Sequence, residues 1–200
     1  MPQADKPARL PQITPEEFTD DTRAFFGQWS DGFFHNVDSN PVLCTFAHHP
    51  ALANAFSPLN IHLLTNNSLP VKQRQIAIMR TAWICNATYM WSSHLRTSVR
   101  AGLSPEMYGP IQNGADDPYF TEFERTVIRA TEELVRHHYI SEANWQRLGK
   151  EWNKQQLLDF MFTVGCYGMV AGVMNSAGVE RQEELLELAE KYGAPVAPQG

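Results

Sequence analysis

Asn153-Lys154-Gln155-Gln156-Leu157-Leu158-Asp159-Phe160-Met161-Phe162-Thr163-Val164-Gly165-Cys166-Tyr167-Gly168-Met169-Val170-Ala171-Gly172-Val173-Met174 is the most apolar stretch of the chain. It is too long for a strand, and Asn153 with Gln156 is a helix-start signal. Apolar residues fall nearly all round the helix, so the pattern predicts a central buried helix. Gly165, Gly168 and Gly172 would let a neighbour or a ligand approach its backbone. Tyr167 and Asn175 are its polar exceptions and candidates to face a pocket.

Working outward, other segments also read as helices. Thr14-Pro15-Glu16-Glu17 is a capping box with proline in the first turn, opening a helix expected to run to about Gly32. Asn40-Pro41 opens a short helix, and Pro50 opens one from Ala51 to about Leu64. After the turn Asn66-Asn67-Ser68-Leu69-Pro70, a helix is expected from Val71 to about Ala87. A partner follows from Tyr89 to Ala101, with Gly102 as its C-cap. Thr121-Glu122-Phe123-Glu124 is a second capping box, ahead of the stripe Val127, Ile128, Thr131, Leu134 and Val135. Ser141 starts a helix with Trp145 and Leu148, and a last one spans Gln182 to Lys191. No stretch alternates like a strand. The expected fold is an all-α helical bundle, as one domain over 14–192, with an N-terminal arm over 1–13 and a flexible tail over 193–200.

Composition narrows the function. The chain has 200 residues, 43% hydrophobic and 19% charged, with a net charge of −6, an ordinary globular balance. Sixteen Lys and Arg without a basic run argue against nucleic acid as partner. No apolar stretch of membrane-span length and no secretory signal at the N-terminus is expected from the pattern, and so no membrane partner. Three scattered cysteines, Cys44, Cys85 and Cys166, fit a reducing cytoplasm. No His-Glu-x-x-His or similar ligand spacing appears, so no metal is expected; nor is there a glycine-rich phosphate loop or a Gly-x-Ser-x-Gly elbow.

The chemistry concentrates between Gln75 and Gly102. His94 shares a helical face with Met90, Trp91 and Ser98, and its imidazole suits proton transfer near neutral pH. The alternative is a histidine that only bonds a backbone carbonyl. His48-His49 before Pro50 is a further proton-transfer candidate or, more simply, a structural contact. His137-His138 falls at a helix end, where a cation suits the dipole.

Phe46-Ala47-His48-His49-Pro50-Ala51-Leu52-Ala53, Leu69-Pro70 with Arg74, Arg80-Thr81-Ala82-Trp83, Tyr89-x-Trp91-x-x-His94, Ala101-Gly102-Leu103-Ser104, and Gly165-Cys166-Tyr167 with Asn175 together resemble the carboxymuconolactone decarboxylase and AhpD-like superfamily over residues 40 to 180. The resemblance implies an AhpD-like all-α fold, a homo-oligomer, and a pocket around the motif histidine; an exposed apolar last helix and paired two-helix motifs suggest a dimer, trimer or hexamer. The peroxidase branch carries Cys-x-x-Cys-x-x-x-His and an upstream glutamate. Here those positions hold Ala87, Met90 and Gln75, and Cys85 lies two residues early. The decarboxylase-like branch often has Tyr-Glu-Trp before the histidine, and Met90 stands in place of that glutamate. The expectation is a cytoplasmic, cofactor-independent lyase or isomerase acting on a small organic acid or lactone from aromatic-compound breakdown. His94 would be its general acid/base, with Gln75, Arg80, Trp83, Tyr89, Met90, Trp91 and Tyr167 contacting substrate. Ser93 is a further hydrogen-bonding candidate. A thiol peroxidase using Cys85 and a non-catalytic ligand-binding protein are the alternatives.

Overall fold

The structure, a computed structural model, describes residues 8–29 and 40–196. Among them there are helices and turns and no strand, as the pattern predicts. The elements are α1 (Asp20–Gly27), α2 (Pro41–Phe46), α3 (Pro50–Ile61), α4 (Val71–Ile84), α5 (Thr88–Arg100), α6 (Tyr108–Asn113), α7 (Glu122–His137), α8 (Glu142–Glu151), α9 (Lys154–Ala177) and α10 (Glu183–Tyr192). Chain contacts group the described residues into two compact units.

The smaller unit holds α1 to α3, residues up to Asn66 and the segment Ser176–Glu180. Its core is Phe25, Phe26, Trp29, Leu43, Cys44, Ala47 and Ala53. The first helix departs from expectation. The Thr14 capping box closes only a 3-10 turn, Pro15–Glu17, and Phe18 is extended. Thr19 then starts α1 afresh by accepting from the Thr22 N–H. That helix ends at Gly27, and the expected continuation to Gly32 runs into residues outside those described. Asn40 caps α2 through the Val42 and Leu43 amides. His49 caps α3, its Nδ1 accepting from the Leu52 amide at 3.3 Å, and His48 bonds the Pro11 carbonyl at 2.5 Å. The His48-His49 pair is therefore a structural contact here.

The larger unit holds α4 to α8, most of α9, and α10. Helix α4 packs on α5, α6 and α7, and α5 also packs on α10. The break between α4 and α5 is a tight turn: Cys85 caps α4 and Asn86 takes a left-handed φ of 52°. Asparagine tolerates that region better than most residues. Helix α5 ends as expected, with Gly102 at φ 75°. The Gly102 and Leu103 amides bond back to Val99 and Ser98. The Thr121 capping box is closed from both sides, and so is the Asn153–Gln156 one.

Helix α9 corrects two expectations. It is not buried all round: Val164, Tyr167, Val170, Ala171 and Met174 face inward, while Leu158, Phe162, Met169 and Val173 are exposed. It is also long and apolar enough to cross a membrane by length and composition, with a mean hydropathy of 1.6 in its best window. Half of that window is buried inside the protein. An apolar face set inward explains much of that score, and the hydrophobic residues on its outer side supply the rest.

Candidate active site

The site is built on three helices of the larger unit. Helix α4 carries Arg74 and Gln75, α5 carries His94 and Ser98, and α9 carries Tyr167. Helical spacing puts His94 and Ser98 one turn apart on one face. His94 is buried, with 7% of its surface exposed. Its Nδ1 lies 2.9 Å from Gln75 Oε1. The Ser98 hydroxyl donates to the same oxygen at 3.5 Å and to Met79 Sδ at 3.3 Å. The Tyr167 ring stands edge-on to the imidazole, with centroids 5.3 Å apart and planes at 79°.

This arrangement sets the protonation of His94. A carbonyl oxygen only accepts, so Nδ1 carries the hydrogen and donates it to Gln75. In the neutral ring Nε2 then holds the lone pair, and no protein hydrogen bond reaches Nε2 among the described residues. Burial pushes the His94 pKa down to about 3, reinforced by the positive charges of Arg74 and Arg96. No carboxylate opposes this, because position 75 is Gln. His94 is therefore neutral at physiological pH, a proton acceptor before it is a donor. Burial also raises the Tyr167 hydroxyl well above its ordinary value, so that side chain stays a neutral hydrogen-bonding group.

The other expected site residues divide sharply. Gln75 and Tyr167 join His94. Arg80 does not: it pairs with Glu132 at 2.6 Å and donates to the Ile111 and Gln112 carbonyls, both at 2.8 Å. Its fork is saturated by α6 and α7, which corrects its expected role in binding substrate. Trp91 is fully buried and its indole N–H donates to the Gly193 carbonyl at 2.8 Å. That anchors the chain after α10 and corrects the expectation of a substrate contact. Met90 is a fully buried core side chain. Tyr89 is buried, with its hydroxyl donating to Gln182 at 3.4 Å. Trp83 is half-buried and packs edge-on to Trp91 at 5.1 Å. Asn175 donates to the Cys85 carbonyl at 2.8 Å, holding the turn between α4 and α5 rather than reaching substrate. Ser93 uses its carbonyl to hold the Thr97 hydroxyl.

The cysteine alternative fares poorly. Burial raises the Cys85 thiol above its ordinary value, and Cys166 to about 11. The described cysteines are free thiols, and Ala87 and Met90 occupy the positions of the paired cysteines. No group of three or more potential metal ligands converges among the described residues.

Sequence reasoning missed Arg74 as a site residue. A signal was present: from Ser39 to Pro105 the chain has no Asp or Glu. A cation set in an apolar helix inside that stretch has no nearby acid in sequence to neutralise it. A surface cavity of about 350 Å³ lies elsewhere, between Leu134, Tyr139, Ile140, Trp145 and Met161, and holds none of these residues.

Residues 50–133 match the carboxymuconolactone decarboxylase family. The fold matches solved structures along most of its length. The family match and the fold together support the resemblance to the carboxymuconolactone decarboxylase/AhpD-like superfamily. One similar structure is a variant of the debrominase Bmp8 in complex with 2,3,4-tribromopyrrole, 12% identical, with a TM-score of 0.75 over 94% of this chain and 99% of that one. Another is an alkylhydroperoxidase AhpD core, an uncharacterized peroxidase-related protein from Ralstonia eutropha JMP134. It is 19% identical, with a TM-score of 0.73 over 92% of this chain and 96% of that one. A third, an AhpD-like protein of unknown function from Agrobacterium tumefaciens, is 13% identical, with a TM-score of 0.64 over 68% of this chain and 94% of that one. At these identities the likeness is one of fold. No curated protein matches the sequence.

Proposed function

We propose that this protein is a cofactor-independent lyase or isomerase that moves a proton on a small organic acid or lactone, with His94 as the acid/base. The observation that carries the reading is the Nδ1–Gln75 hydrogen bond on a buried imidazole. It leaves Nε2 as the basic nitrogen. The resting state then dictates the order of steps. Neutral His94 first accepts a proton from a carbon made acidic by a neighbouring carbonyl. Burial and the flanking arginines make the resulting imidazolium a strong acid, so it returns the proton at a second carbon. The Tyr167 hydroxyl is neutral and available to hydrogen-bond the carbonyl oxygen as charge develops there. This order suits a proton-shuttling isomerisation better than a decarboxylation, in which CO2 leaves first and the carbanion then needs a proton that the neutral ring does not hold on Nε2. The raised Cys85 thiol weighs against peroxide chemistry.

The test is incubation with carboxymuconolactone and a panel of unsaturated acids and lactones in D2O, following isomerisation, CO2 release and deuterium uptake. The wild type is expected to turn over at least one compound, and His94→Gln to slow it by about 100- to 10,000-fold, the usual worth of a positioned acid/base. Equal rates in the two proteins, or no turnover across the panel, would count against the reading.

A further inference from the structure

Arg74 is half-buried, and its Nε, like those of Arg96 and Arg125, is buried with no hydrogen-bond partner. Other cations of this acid-free stretch are matched by acids from later helices: Lys72 pairs with Glu124 at 2.6 Å, Arg80 with Glu132, and Arg96 with Glu184 at 2.9 Å. Arg100 is exposed to solvent. Arg74 has no ion pair among the described residues. It precedes Gln75 directly on α4, and its charge acts on both His94 and Tyr167. Leaving a guanidinium donor buried and unsatisfied is costly unless something supplies the acceptor.

We propose that Arg74 is the anchor for a carboxylate group of the ligand, holding a small, flat organic acid beside the His94 and Tyr167 rings. The inference rests on the reading of this cluster as the site for an organic acid, and it adds the residue that selects the charge. A guanidinium fork matches a planar carboxylate through two parallel N–H···O bonds. The perpendicular pair of rings offers apolar edges to a flat body. Gln75 contributes by being neutral: a carboxylate at that position would compete with the ligand for the arginine's charge. Binding an anion here would also offset one of the two positive charges acting on the imidazole.

The experiment compares benzoate with its neutral counterpart benzamide, and with formate and acetate, by calorimetry on the full chain. The wild type is expected to bind benzoate more tightly than benzamide. Arg74→Met should weaken benzoate binding by about 10- to 100-fold, the usual worth of charged hydrogen bonds, and leave benzamide unchanged. Arg74→Lys should recover part of the loss. In the wild-type protein, benzoate should protect Arg74 from phenylglyoxal, read by peptide mass, which requires no variant to fold. Equal benzoate affinity in Arg74→Met and the wild type, no preference for benzoate over benzamide, no binding of any of the three carboxylates, or unprotected Arg74 would each overturn the proposal. Turnover plays no part in these measurements, so the anchor can fail while the His94 reading stands, and the reverse.

Discussion

Arg74 and Arg80 stand six residues apart on the same helix and have opposite fates. Arg80 receives Glu132 and two main-chain carbonyls, and its whole fork is consumed. Arg74 has a buried Nε with nothing to bond. The first end of α4 is open toward chemistry, and the second is closed into the frame. The difference teaches that the same residue type in the same helix is read by its acceptors. Buried charges that hold a structure come with their counter-charges, and an unmatched one points to a ligand.

The largest expected effect is therefore at the closed end. Arg80→Met leaves Glu132 with Arg136 as its remaining partner and takes the guanidinium from the Ile111 and Gln112 carbonyls, so it should destabilise the fold by about 3 kcal/mol, measured by urea unfolding. Gly114→Ala belongs to the same end. Its φ is 98°, and a Cβ there would lie 2.8 Å from Arg80 Nη2, so a loss above about 1 kcal/mol is expected. A neutral result in both would erase the contrast between the ends.

The next prediction probes the open end through acid. The folded pKa of His94 is about 3, below its unfolded value near 6.5. The unfolded chain thus binds more protons between those values, and the neutral ring contributes stability that is complete above pH 6.5 and lost as pH falls toward 3. Within that window the wild type should lose stability by up to about 1.4 kcal/mol per pH unit beyond what His94→Gln loses. Melting curves of both proteins from pH 7 to 4 test this, and parallel slopes would contradict it.

Gln75→Glu sharpens the comparison by supplying the open end with the carboxylate that the closed end has. The His94 pKa should rise, seen as a shift in its imidazole proton NMR titration, and benzoate affinity should fall. An unmoved titration would mean that Gln75 does not control the ring. The smallest expected effects are a loss of about 1 kcal/mol for Thr121→Ala, from its cap to the Glu124 amide, and none on turnover for Cys85→Ser.

Most of the fold was legible because helix starts announce themselves locally. Thr121 with Glu124 and Asn153 with Gln156 need only four residues to satisfy their free amides, and both behave as read. The same rule misleads at Thr14. Its box is formed, but the chain turns extended at Phe18 and restarts at Thr19, because a cap says where a helix begins and not how far it runs. The candidate site was legible in part. His94, Gln75 and Tyr167 come together from three helices, while Trp91 and Arg80, in motifs as suggestive, are spent on the Gly193 and Ile111 carbonyls. No local pattern tells these apart, since the acceptors lie on segments far along the chain.

The sequence by itself determined an all-helical chain, the placement of His94 and Ser98 on one face, and the missing cysteine pair and carboxylates, because spacing and side-chain identity are local properties. Only the tertiary structure decided which charges are matched. Glu132 and Glu184 reach their arginines across dozens of residues, and Arg74 is left over. Neutrality inside a protein depends on distance in space, and a linear reading carries no measure of it.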